Sequence, residues 1–172
     1  MNHESRVFSG DTVESKPREV SFDKGTHWRA KLGFILLSTD LVGEDNITRL
    51  LPEGVGASFT RLRTSNDTNV TNLSAPIDGM AEAASILQPE ARPDVICYVC
   101  TSGSIVIGED TVMTEIKRGA PWAQPTTLVT GVVNGLRRLQ AHRIVVATPY
   151  LDEINTVVAK FLRQKGFEVL DI

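Results

Sequence analysis

A cysteine followed directly by Thr-Ser-Gly-Ser can do chemistry without a cofactor, and this chain carries one in Asp94-Val-Ile-Cys-Tyr-Val-Cys100-Thr-Ser-Gly-Ser104. A thiolate is both a good base and a good nucleophile once its pKa is lowered. The backbone amides of Thr101 to Ser104 can form a small anion nest near a helix start, which favours a thiolate and equally a substrate carboxylate. The competing reading of Cys100 is a buried thiol in a turn.

Cys97 and Cys100 also stand at C-x-x-C spacing, which raises redox and zinc chemistry. Side chains alternate along a strand with period two, so residues 97 and 100 of one strand point to opposite faces. A disulfide between them requires breaking the strand, and Tyr98-Val99 are strand formers rather than the start of a helix. Zinc needs further ligands, and His3, His27 and His142 have no ligand spacing. Cys97 is therefore expected in the core. Cys100, at the carboxyl end of its strand where open α/β sheets bind ligands, is expected in a site.

The elements that must position this cysteine follow from hydrophobic patterning. Lys31-Leu-Gly-Phe-Ile-Leu-Leu37 predicts a buried parallel strand opening into the polar Ser38-Thr39-Asp40. A short helix from about Asp45 to Leu51, a second strand from Gly56 to Arg63, and a helix with Ile77, Met80, Ala84 and Leu87 at helical spacing follow, with Pro89 and Pro93 closing the segment. The third strand is Val95 to Cys100. Asp110 to Lys117 reads as helical. Thr126 and Thr127 read as caps of a helix whose face is Leu128, Val132, Leu136 and Leu139, with Gly131 and Gly135 compensated by close packing against a neighbour. Arg143 to Ala147, a helix carrying Ile154, Val157, Val158, Phe161 and Leu162, and Phe167 to Ile172 complete a β-α-β unit.

This alternation predicts an α/β fold: a parallel-sheet, flavodoxin-like layered domain at 28–125, and the start of a second similar domain at 126–172. Met1 to His27 is polar without periodicity and reads as a flexible tail. The 172 residues carry a net charge of −3 and no basic block, which argues against nucleic acid. No apolar run reaches the length of a membrane span and no signal peptide is visible, so a cytoplasmic location is expected. The consecutive sequons Asn66-Asp-Thr68, Asn69-Val-Thr71 and Asn72-Leu-Ser74 then read as a polar loop.

The stretch Asp94-x-Ile-x-Tyr-x-Cys-Thr-Ser-Gly-Ser104 is preceded by Gly33-Phe-Ile-Leu-Leu-Ser-Thr-Asp-x-x-x-Glu44 and followed by Pro125-Thr-Thr127 and Thr148-Pro-Tyr150. Together they resemble the aspartate/glutamate racemase superfamily, in the branch of maleate cis-trans isomerases, arylmalonate decarboxylases and ectoine-utilisation proteins. The resemblance implies two similar α/β halves with the substrate between them, one cysteine from each half, and no metal or organic cofactor. It implies that Cys100 is the catalytic cysteine of the first half, with Ser38, Asp40, Thr101, Ser102 and Tyr150 lining a pocket for a small carboxylate or amino acid.

Two departures shape the expectation. Asp40 stands where that branch usually carries Asn, which suggests a substrate bearing an amine, as in ectoine catabolism, or a base toward Cys100. No cysteine follows residue 100, so the resemblance implies a chain that ends inside its second half. The function expected is a cofactor-independent, cysteine-based isomerase or racemase. The alternatives are a non-catalytic remnant, a carboxylate-binding module, or a subunit completed by another polypeptide. An uncovered sheet edge or face predicts a homodimer.

Overall fold

Three apolar or β-branched stretches lie side by side as parallel strands at the centre of the structure, a computed structural model that describes residues 16–88 and 90–172. They are β1 (Ala30–Leu37), β2 (Val55–Leu62) and β3 (Val95–Tyr98). With β4 (Gln124–Thr127) they form one parallel sheet of order β2-β1-β3-β4. This order places β1 and β3 inside the sheet, the arrangement of doubly wound α/β folds, and confirms the expected class.

The connections are helical. α1 (Gly43–Leu50) joins β1 to β2, and the long β2 to β3 crossover holds α2 (Val70–Ser74), a 3-10 turn at Ala75–Gly79 and α3 (Met80–Ser85). α4 (Thr101–Ile107) and α5 (Glu109–Gly119) lead to β4, broken at Gly108, whose φ of 96° suits glycine. α6 (Leu128–Arg138), β5 (Arg143–Val145), α7 (Asp152–Gln164) and β6 (Glu168–Asp171) follow, and β5 pairs with β6 in a second parallel sheet. Among the described residues no helix is long and apolar enough to cross a membrane.

Two hydrophobic clusters result. The first packs Ile35, Leu62, Ile96 and Tyr98 of the sheet against Met80 and Ala84 of α3 and Val112 and Ile116 of α5. The second joins Val133 of α6, Ile154, Val158 and Leu162 of α7, and Phe167 and Val169 beside β6. Cys100 packs against both, at the seam between them. A Lys165 to Glu109 ion pair of 2.6 Å, with Thr130 donating to the same carboxylate at 2.5 Å, links α7, α5 and α6 across that seam.

Several sequence-based expectations need correction. The strand at Gln124–Thr127 has no apolar pattern; it forms because its backbone completes the edge of β3, with the segment before it held by Lys117 Nζ donating to the Pro121 and Ala123 carbonyls at 2.9 and 2.8 Å. β4 therefore runs past the expected boundary at Pro125. The buried stripe of α6 is Val129 and Val133, while Leu128, Val132 and Leu139 are exposed. A Cβ at Gly131 or Gly135 would meet nothing within 4 Å, so the expected close packing there is not present.

The third sequon lies within α2, whose first turn is capped by Asn69 accepting from the Asn72 amide at 2.9 Å. Of the expected tail, residues 1–15 lie outside the described residues, as does Pro89. Residues 16–29 hold no helix or strand, yet the end of that stretch is docked. The His27 ring covers Gly56 so closely that a Cβ there would stand 2.2 Å from it, because β2 offers a bare backbone at that point.

Candidate functional site

Strand β3 ends at Tyr98, earlier than expected, because the chain must turn out of the sheet to start α4. Val99 still donates to the Ile35 carbonyl at 2.8 Å, and Cys100 is the extended residue (φ −153°, ψ 112°) that caps α4. Its Sγ accepts the Gly103 amide at 3.2 Å, as a serine or aspartate oxygen does at other helix starts. The Cys100 carbonyl accepts from the Ser104 amide at 3.0 Å and its hydroxyl at 2.5 Å. Buried Ser102 places its Oγ 3.8 Å from the sulfur. These contacts fix the direction of the thiol.

The direction is toward a cavity of about 200 Å³ lined by Cys100, Ser102 and Tyr150 on one side and by Leu37, Thr39, the 64–68 loop, Asn72 and Leu73 on the other. Tyr150 is held by its neighbours: its amide donates to Thr148 Oγ1 at 3.3 Å, and Asn155 Nδ2 donates to its carbonyl at 3.1 Å. Thr148 and Asn155 bond to each other, so the tyrosine sits on a polar clamp from α7. Beyond Tyr150 lies a second, apolar cavity of about 330 Å³ lined by Thr101, Ile105, Val129, Val146, Val158 and Leu162 among others.

The expected site residues thus divide. Cys100, Ser102 and Tyr150 come together around one cavity, and Thr101 faces the adjoining apolar one. Ser38 lines neither; its Oγ accepts the Thr64 amide at 3.0 Å and so anchors the loop that walls the cavity. Asp40 also lines neither. Its Oδ1 accepts the Val42 and Gly43 amides at 3.0 and 2.7 Å, because the start of α1 leaves those donors unsatisfied and a carboxylate meets them better than the distant cavity does.

Other residues of the site escape sequence reasoning. Asp67 and Thr68 reach the cavity from a loop distant in the chain and Asn72 from α2, and only their polar composition marks them. Tyr98 was legible as a strand residue. That its hydroxyl lies in the core beneath Cys100 is a tertiary fact: the side chain is fully buried and its Oη has no hydrogen-bond partner.

The two thiols have separate environments. Cys97 is half-buried on the other face of the sheet, beside Phe34 and Thr126, and burial pushes its thiol from the ordinary 9.0 up to about 12. The Tyr98 hydroxyl is also pushed upward, first by burial and then by the charge that Cys100 carries as a thiolate. It stays protonated, and is therefore a donor, at any ordinary pH.

Comparison with known proteins identifies relatives of this chain. A family model described as arylmalonate decarboxylase matches residues 66–172. A maleate isomerase of Nocardia farcinica is 27% identical over 152 residues, which cover 82% of this chain and 60% of that protein. An arylmalonate decarboxylase of Bordetella bronchiseptica is 33% identical over 94 residues, covering 54% of this chain and 39% of that protein. Among solved structures, a cysteine-to-serine variant of the Nocardia farcinica maleate cis-trans isomerase with a covalently bound succinylcysteine intermediate superimposes with a TM-score of 0.70 at 24% identity, over 83% of this chain and 62% of that one. This chain spans less than two thirds of the length of each of these relatives.

Proposed function

The chain belongs to the arylmalonate decarboxylase family, and from that premise we propose that it acts on a small carboxylate through Cys100, as a cofactor-independent isomerase or racemase. The observation that carries the reading is the placement of Sγ: held by the Gly103 amide, flanked by Ser102, at the seam of two hydrophobic clusters and facing a polar cavity. A thiolate there either takes a proton from the carbon next to the carboxylate or adds to a carbon–carbon double bond. Ser102 and the cavity's threonine and asparagine groups supply donors for the carboxylate oxygens, and the Tyr150 hydroxyl supplies another.

A substrate bearing an amine, the class to which the diamino acids of ectoine breakdown belong, is the finer form of the proposal. Its support is Asp67, the acidic residue in the cavity wall, in place of Asp40. Binding without turnover is the second reading, favoured by the single thiol at the cavity: Cys97 lies on the opposite face of its strand.

Competition labelling tests the proposal. Iodoacetamide should modify Cys100, and maleate, an aryl malonate or an amino acid should slow that modification. Turnover of the protecting compound, abolished in Cys100→Ser, supports catalysis; protection without turnover supports the binding reading. If none of the compounds protects, the carboxylate site is refuted.

A further inference from the structure

We infer that the hydroxyl of Tyr98 is a positioning donor for Cys100, hydrogen-bonding to its thiolate from inside the core and holding the charged sulfur toward the cavity. The inference rests on the reading of Cys100 as the reactive thiol and deepens it. It begins from an anomaly: the Tyr98 side chain is fully buried among Ile35, Ile96 and the residues of α3 and α5, and its Oη alone, among buried side-chain oxygens and nitrogens of the described residues, has no hydrogen-bond partner. A buried phenol without a partner is costly, and phenylalanine would fill the same space without that cost.

The space above the hydroxyl shows where it points. A Cβ added at Gly103 would stand 2.8 Å from Tyr98 Oη and 2.9 Å from Cys100 Sγ, so both atoms border the one small gap that glycine leaves open. Gly103 thus has two effects: its amide donates to the sulfur, and its missing side chain lets the hydroxyl face the sulfur. Burial is the largest cause of the upward Tyr98 shift, and the charge of a Cys100 thiolate adds to it, as a hydroxyl close to that sulfur requires.

The surroundings leave this task to neutral donors. Among the described residues, the titratable groups facing Cys100 are Tyr98 beneath it, Tyr150 beside it and Asp67 in the opposite wall, and no lysine, arginine or histidine lines the cavity. Asp67 opposes a negative sulfur. Stabilisation must come from the Gly103 amide, the Ser102 hydroxyl and, on this inference, the Tyr98 hydroxyl.

The test is the pH profile of Cys100 alkylation by iodoacetamide, read by peptide mass spectrometry. Tyr98→Phe should keep the circular dichroism of the wild type and move the half-maximal rate upward by about one pH unit, an approximately tenfold loss of rate near neutrality. Tyr98 and Tyr150 are the two tyrosines of the chain. In a Tyr150→Phe background, biosynthetic replacement of the remaining tyrosine by 3-fluorotyrosine, a more acidic and stronger donor, should move the profile downward, which decides the matter even if Tyr98→Phe fails to fold. An unchanged profile in both experiments, with wild-type Cys100 reactive and protected by a carboxylate, overturns the role of Tyr98 alone. Wild-type Cys100 that is unreactive at every pH overturns the reading of the site and this inference with it.

Discussion

Folded protein exposed to excess iodoacetamide near neutral pH should be labelled at Cys100 and spared at Cys97. The magnitude for Cys97 follows from its surroundings. Half-buried beneath the sheet, with its sulfur 3.6 Å from the Tyr98 carbonyl, it has a thiol pushed from 9.0 to about 12 by burial. Three units correspond to roughly a thousandfold fewer thiolates than an ordinary cysteine holds at the same pH, and the thiolate is the species that is alkylated. Cys97 should therefore react about a thousandfold more slowly than a cysteine in a short peptide, while Cys100 is reached through the cavity. Light reagent applied to the native protein, then heavy reagent after unfolding in guanidinium, reads both sites in one mass spectrum of tryptic peptides. Cys97 carrying light label at a rate within about tenfold of the peptide cysteine would refute the reasoning that separates the two thiols. In Cys100→Ser the light label should almost vanish.

Four other perturbations have definite signs. Gly119→Ala places a Cβ 1.9 Å from the Ala81 carbonyl oxygen, so α3 and α5 must separate; thermal unfolding should show a loss of about 3 kcal/mol or more. Gly131→Ala, with open space around it on the solvent side of α6, should instead stabilise by up to about 1 kcal/mol by the same measurement. Burial raises the Glu109 carboxyl, but hydrogen bonds from Lys165 and Thr130 and the charges of Lys165 and Arg137 outweigh it and hold it below 4.5. Its stabilisation is therefore present above the unfolded value and lost as pH falls through the lowered one; the urea midpoint of Glu109→Gln should lie below wild type at neutral pH and converge with it in acid. Asp40→Ala should cost about 1 kcal/mol through the two hydrogen bonds lost from the turn that leads into α1, while Asp40→Asn keeps the acceptor and the stability, and neither should alter Cys100 labelling.

These predictions draw on features of unequal legibility. The runs at Lys31–Leu37 and Val95–Tyr98 announce buried strands because a strand covered on both faces must be apolar at successive positions. Cys100 was legible as a site residue for a similarly local reason: it follows such a strand and precedes small polar residues that can start a helix. Gln124–Thr127 shows the opposite case. Its residues have no strand pattern, and it is a strand because β3 offers an unpaired edge. The face of α6 is not legible in the sequence because its apolar residues form two overlapping stripes, and only packing against the rest of the fold selects Val129 and Val133 for burial.

The same division runs through the site. Sequence alone determined the parallel α/β class, the end of the strand at which chemistry is expected, and the separation of Cys97 from Cys100, since backbone periodicity and strand direction are local properties. The tertiary structure decided which groups surround the sulfur. It turned Asp40 toward the free amides at the start of α1, brought the 64–68 loop and Tyr150 to opposite walls of one cavity, and set an unpaired Tyr98 hydroxyl beneath Gly103. A side chain's hydrogen bonds go to whichever donors the folded backbone leaves unsatisfied nearby, and that proximity is created by packing between segments far apart in the chain.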